Sequence, residues 1–393
     1  MNYGHTVADM PFDPQDPAFV ADPYPTFAAL RQQAPVHTHP DLGITVAVSH
    51  AAASEVLRNR GLGRIWHDAT PVEQFTSFNL LHRNSLLENE PPTHTRLRRL
   101  VSAAFGRGHT ERLRPWVDEL AGRLVDDLKG GGDLLAALAA PLPVEVIAEL
   151  LGVPEADRSK LVPWSNAIVK MYEYGLSDEL RRKAEDAAAE FVAYLRDLAA
   201  DPAPGSLIED LVAAHDGEKL DLDELVATAV LFLMAGHEAT VNVIGNGVVA
   251  LMRDRKQWQR LVDDPSLLPT AVEELIRYDA PLQLFERTAT EEVTIAGHTL
   301  RPGEKIAALL GAAARDPKVF DQPDTLDVGR DPNPHLGFGA GIHYCVGAPL
   351  ARVEIMAALR TLTTKMPELR LDGELERRPE FVIRGWRAVP VTG

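Results

Sequence analysis

Apolar positions along the chain recur with the spacing of an α-helix over most of its length, and polar joints containing Pro and Gly separate the periodic runs. Helices are predicted over residues 24–33, 51–58, 93–105, 111–128, 144–151, 157–174, 178–199, 206–214, 221–253, 269–278 and 348–365. Strand-like pieces are short, at 36–38, 45–48, 289–295, 305–309 and 381–383. Two segments, 61–92 and 316–338, follow neither period, and long irregular segments in compact domains tend to carry function. There is no internal repeat, and the turn at 201–205 is too short to divide domains. The expectation is one domain over residues 1–393, mainly α with a smaller β-rich region, behind an irregular N-terminal arm at 1–22.

The longest apolar run, 225–252, is long enough to cross a bilayer, but His237, Glu238, Thr240, Asn242 and Asn246 interrupt it. A carboxylate at membrane depth is costly. The run therefore reads as a helix buried on all sides, and no membrane association is expected. Composition narrows the function. With 40 basic against 57 acidic residues the net charge is -17, which argues against a nucleic-acid binder. A single cysteine excludes an internal disulfide, a cysteine-rich zinc site and an iron–sulfur cluster held by this chain alone. A reducing, cytoplasmic setting is expected. Residues 1–22 show neither a basic start nor an apolar run, so they do not read as a signal peptide.

That cysteine is Cys345, within Phe338-Gly339-Ala340-Gly341-Ile342-His343-Tyr344-Cys345-Val346-Gly347. Glycines let backbone N–H groups turn tightly towards the sulfur, which stabilises the thiolate and suits a metal ligand. A buried structural cysteine is the ordinary alternative. Glu274 and Arg277 lie three apart on a predicted helix and alone would be an ordinary ion pair. In Ala235-Gly236-His237-Glu238-Ala239-Thr240, the small Ala235 and Ala239 share a helix face that a flat group can approach closely. Glu238 is costly to ionise in such a helix unless partnered. Two other patterns fail. Residues 337–342 lack the third glycine of a dinucleotide loop, and Val241 replaces the second histidine of a zinc-protease helix.

At the cysteine loop the chain resembles the cytochrome P450 family, in its soluble bacterial-type form, and the resemblance extends from about Asp22 to Val391. It implies a P450 fold with haem b between the 221–253 helix and the helix after Cys345, Cys345 being the iron ligand. Phe338, Gly339, Ala235 and Gly236 would flank the haem. His94, Arg98, Arg287 and His343 would bind its propionates, while Glu274, Arg277 and Arg330 would brace the cysteine loop. Glu238, Ala239 and Thr240 occupy the catalytic positions, but Ala239 stands where the family usually has Thr. Thr240 is displaced by about 100° around the helix. Either Thr240 reaches in through a local distortion, a substrate hydroxyl orders water, or the oxidant route differs.

The implied reaction is insertion of one oxygen atom from dioxygen into a C–H bond of a lipophilic small molecule. The substrate would be a terpenoid, a steroid or a macrolide-type polyketide. Phe75, Phe78, Leu80, Ile168, Met171, Tyr172, Leu231, Met234, Gln283, Leu284, Phe285 and Ile383 would line its pocket. Electrons would come from a ferredoxin or flavodoxin with its NAD(P)H-dependent reductase. Arg96, Arg99 and Arg352 would dock that partner, with plain surface solvation as their other reading. A peroxide-driven haem-thiolate oxidase and a non-catalytic haem sensor are the rival readings.

Overall fold

The computed structural model describes residues 12–40, 42–102, 105, 107–173, 175–216 and 220–393. The helix Leu222–Arg253 runs through its centre. A capping box starts it: Asp221 accepts from the Glu224 N–H at 2.7 Å, and the Glu224 carboxylate accepts from the Asp221 N–H at 3.1 Å. The helices Thr76–Arg83, Pro141–Leu151, Asp178–Ala200, Leu268–Tyr278 and Ala348–Lys365 pack around it. Its bilayer-length apolar stretch is thereby mostly buried inside the protein. At Gly247 a Cβ would come within 2.7 Å of the Leu275 side chain. Glycine there lets the Leu268–Tyr278 helix, which carries Glu274 and Arg277, lie close against the central one.

The β-rich region is a five-stranded sheet in the order Val36–His39, Ile44–Ala47, Lys305–Leu309, Leu284–Ala289, Leu62–Gly63. Only the pairing of Ile44–Ala47 with Lys305–Leu309 is parallel. Gly132–Asp133, Pro390–Thr392 and Arg370–Leu371 form a second sheet, and Val293–Ile295 pairs with His298–Leu300.

Several expectations need correction. The arm at 1–22 is not wholly irregular. Asp16 caps a helix over Pro17–Ala21, and Phe12 and Phe19 stack at 4.8 Å within the core; residues 1–11 lie outside the described residues. The 61–92 segment contains the helix Thr76–Arg83. Its N-terminus has no cap of its own. Glu185, from the helix Asp178–Ala200, accepts the N–H groups of Ser77 and Phe78 at 2.8 and 2.9 Å. A cap supplied from a hundred residues away leaves no local pattern. The 157–174 helix is broken into the helix Leu161–Val169 flanked by 3-10 turns, with Tyr174 outside the described residues. The 289–295 strand divides into the end of Leu284–Ala289 and a separate Val293–Ile295, and 381–383 contributes only the bridge Leu282–Ile383. Residues 316–338 do contain neither helix nor strand before the 3-10 turn at Gly341–His343.

Candidate active site

The cysteine loop turns through Gly339 and Gly341, at φ +69° and +70°, where a side chain is strained. At Gly341 a Cβ would also meet the Leu57 carbonyl oxygen at 2.5 Å. The Cys345 N–H donates to the Phe338 oxygen at 2.9 Å, closing the loop. Burial pushes the thiol up; the N–H of Gly347, the Arg98 charge, the N–H of Ala348 and the Arg352 charge all act the other way. Cys345 nevertheless keeps some accessible surface, and at that depth such surface faces an interior space. A bound metal cation would tip the balance to thiolate. Among the described residues no cluster of three or more His, Cys, Asp or Glu is placed to hold a bare ion.

Glu274 and Arg277 meet in a fully buried bidentate pair at 2.7 and 2.8 Å. Arg330 donates to the same carboxylate at 3.1 Å, as does Asn333. Arg277 also donates to the carbonyls of Ala314 and Pro323, at 2.8 and 2.7 Å. These bonds pin the irregular segment that leads into the cysteine loop.

The four predicted propionate partners, two arginines and two imidazoles, offer charge and N–H donors suited to a dianionic group. The rings of His94 and His343 lie 4.5 Å apart. His94 Nε2 is buried without a partner. Burial, together with the charges of His343 and Arg98, lowers the His94 pKa to about 4. Burial lowers Arg287 to about 10, helped by neighbouring Arg64, and its Nη1 reaches only the carbonyl of Glu286, at 2.8 Å. Burial lowers Arg98 too. Cations buried this far ordinarily have counter-charges, and two propionates are of that kind. His343 has one protein partner, Glu90, at 2.8 Å.

The opposite wall is the central helix. Leu231, Ala235 and Ala239, spaced four apart, keep accessible surface in the mostly buried middle of the helix, as do Gly236 and Val241. This is the face that the small side chains predicted. Gly236 keeps accessible surface beside Ala235, and a Cβ there would meet Ile147 at an ordinary contact distance of 3.5 Å. Thr240 is buried, off that face. The helix is unbroken, so no local distortion brings Thr240 round. Its hydroxyl lies 3.4 Å from the Gly236 oxygen, and the Glu354 carboxyl stands near it. Burial raises Glu354 well above the usual carboxylate range. Glu238 finds the partner its burial requires in Arg378, at 3.3 Å, with Asn242 at the same distance.

Of the predicted pocket residues, Leu80, Met171, Tyr172, Leu231 and Phe285 keep accessible surface, while Phe75, Phe78, Met234, Leu284 and Ile383 are nearly buried. Ile168 and Gln283 have 0% exposure and line no open space. The Gln283 amide is spent on the Ala280 carbonyl, at 2.7 Å, and its side chain packs on Gly311. Phe338 lies under the Arg352 guanidinium, 4.4 Å from its ring centre. Two of the three proposed docking arginines are paired within the chain. Arg96 binds Glu224 and Arg352 binds Glu273, whereas Arg99 is exposed.

Sequence reasoning missed Glu354, Arg378, Arg64, Glu88, Glu90 and His82. Glu354 left one trace, a carboxylate on the apolar face of the 348–365 helix.

A family model described as Cytochrome P450 matches residues 257–365. Cytochrome P450 monooxygenase PikC of Streptomyces venezuelae is 39% identical over 390 residues, covering 95% of this chain and 91% of that protein. Vitamin D(3) 25-hydroxylase of Pseudonocardia autotrophica is 37% identical over 397 residues, covering 95% and 94%. The crystal structure of P450BioI in complex with an acyl carrier protein ligated to hexadec-9Z-enoic acid aligns with a TM-score of 0.90 at 33% identity, covering 95% of this chain and 99% of that one.

Proposed function

The chain belongs to the cytochrome P450 family of haem monooxygenases, and we propose that it places one oxygen atom from dioxygen into a C–H bond of a lipophilic terpenoid, steroid or polyketide-type molecule. The observation that carries this reading is a sulfur cradled by the N–H groups of Gly347 and Ala348 and facing the Arg98 charge, with the unpartnered buried imidazole of His94 beside that same charge. Cys345 would hold the haem iron. His94, Arg98, Arg287 and His343 would hold its propionates. Ala235 and Ala239 would leave room above the ring. When bound, haem with a thiolate ligand supplies the chemistry that splits dioxygen.

The chain's own part is to bind, orient and move protons. Leu231, Met234 and Phe285 exclude water from the reacting carbon. Glu238, held at Oε2 by Arg378 and Asn242, is the carboxyl group next to Ala239 in the chain and the proposed proton-transfer group. Ala239 offers no hydroxyl, so the proton passes by ordered water or a substrate hydroxyl. Glu354, kept protonated by burial against Thr240, forms a second acid on another side of the helix. Electrons come from a ferredoxin or flavodoxin and its NAD(P)H-dependent reductase, since the sequence carries no flavin or nicotinamide motif. Exposed Arg99, Ile342 and Tyr344 suit that partner's docking near the cysteine loop. The names of the relatives support a lipophilic substrate.

Reduced protein exposed to carbon monoxide is expected to show the red-shifted Soret band of thiolate-ligated haem, and a histidine-type spectrum removes Cys345 as ligand. In turnover with a surrogate ferredoxin system, product that requires NAD(P)H and dioxygen supports the monooxygenase. Efficient turnover with peroxide alone indicates the peroxide-driven enzyme, and binding without any oxidation indicates a sensor.

A further inference from the structure

The pocket is largely apolar, but its roof ends in a polar pair. Tyr172 closes the 3-10 turn Lys170–Tyr172, and its hydroxyl lies 3.0 Å from Nε2 of His82, on the helix Thr76–Arg83. The direction of that bond follows from the other side of the ring. His82 Nδ1 lies 2.8 Å from the Phe78 carbonyl oxygen, one turn back. A carbonyl only accepts, so Nδ1 carries the hydrogen. Burial pushes the His82 pKa down, with Arg64 adding to the shift and Glu88 and the Phe78 carbonyl opposing it, so the ring stays neutral at neutral pH. Its Nε2 is then a bare acceptor, and Tyr172 donates to it. The imidazole is held in place by Trp66, stacked at 4.7 Å, and by Phe78, whose ring centre lies 4.0 Å away.

With its hydrogen committed to His82, the Tyr172 oxygen can only accept from a third group. Tyr172 keeps accessible surface although its ring packs edge-on against the buried His82 ring, 5.8 Å away. Glu88 also stands near the hydroxyl and is ion-paired with Arg64. The Arg64 N–H donates to Glu90 at 2.7 Å, Glu90 holds His343, and the Arg64 charge bears on Arg287. The roof pair therefore borders the propionate end of the cofactor site.

We propose that Tyr172, oriented by His82, is a specificity-determining residue that accepts a hydrogen bond from a substrate hydroxyl and so selects lipophilic alcohols over the corresponding ketones. A ketone presents an acceptor to an acceptor and gains nothing there. The inference rests on the monooxygenase reading and refines its substrate class.

The test is calorimetric titration of the haem-loaded protein with cyclododecanol and with cyclododecanone. The alcohol is expected to bind about three- to tenfold more tightly, the worth of one neutral hydrogen bond. Tyr172→Phe brings the alcohol down to the ketone's affinity and leaves the ketone unchanged. His82→Leu frees the Tyr172 O–H to donate, so the ketone gains and the preference narrows or reverses. A merely structural role for His82 weakens both ligands alike. Equal or weaker binding of the alcohol by the unaltered protein, no alcohol binding at all, or a preference that survives Tyr172→Phe overturns the proposal. The carbon monoxide spectrum keeps the two readings apart: an intact thiolate band without alcohol preference sinks only this inference.

Discussion

Glu354 lies against Thr240 between two packed helices, and burial raises its carboxyl well above the usual range with no charged group contributing. Thr240→Val leaves that acid buried with its partner gone, at a cost of about 1–2 kcal/mol. Adding Glu354→Leu removes the stranded polar group, and much of the loss is expected to return. Urea midpoints of the haem-loaded single and double variants measure this. Strictly additive losses show that the two side chains do not depend on each other.

Glu238 is the acid expected to serve the oxygen face. Glu238→Gln keeps its shape and its contact with Asn242 but cannot release a proton. Substrate-dependent product formation is expected to fall about a hundredfold, in the range of general acid–base contributions, with the carbon monoxide spectrum unchanged. Ala239→Thr introduces a hydroxyl on the accessible face and is expected to change the ratio of product formed to NAD(P)H consumed. An unchanged ratio across several substrates shows that position 239 does not govern oxygen use.

Arg277 makes two bonds to Glu274 and others to the carbonyls of Ala314, Pro323 and Thr325. A lysine cannot reproduce that planar fork. Arg277→Lys keeps the charge but is expected to cost about 1–3 kcal/mol for the buried acceptors it leaves unpaired. Because the pinned segment carries the cysteine loop, the variant is expected to purify with a low ratio of haem to protein, read as pyridine haemochrome. Full haem content separates the brace from cofactor retention.

Glu273 lies beside that brace and binds Arg352 at 2.6 Å and His335 at 3.0 Å. Burial alone would raise its pKa, but these partners outweigh burial and lower it from 4.5 to about 2. The folded state therefore favours the ionised form. The contribution is complete above the unfolded value and disappears as pH falls from about 4.5 towards about 2. Stability measured by urea across that window is expected to fall more steeply for the unaltered protein than for Glu273→Gln. Parallel acid limbs assign the acid sensitivity to other carboxylates.

The parts of the site that were legible in sequence are short-range. Cys345 with its glycines, the Glu274–Arg277 spacing and the alanines four apart on one helix are each set by neighbours within a turn or two. Their expected geometry reappears in the braced loop and the accessible helix face. Gln283 and Ile168 misled because an apolar neighbourhood in sequence does not distinguish pocket wall from core.

The sequence by itself determined the proposed iron ligand, the helical class and the departure at Ala239, because those depend on residue identity and local spacing. Tertiary structure alone decided who satisfies each buried polar group. Arg378 reaches Glu238 across 140 positions, and Tyr172 reaches His82 across 90. A buried charge or hydroxyl demands a partner, yet nothing in its local pattern names one. The cysteine loop is thus written in one stretch of chain, while the polarity of the space above it is set by residues that only folding brings together.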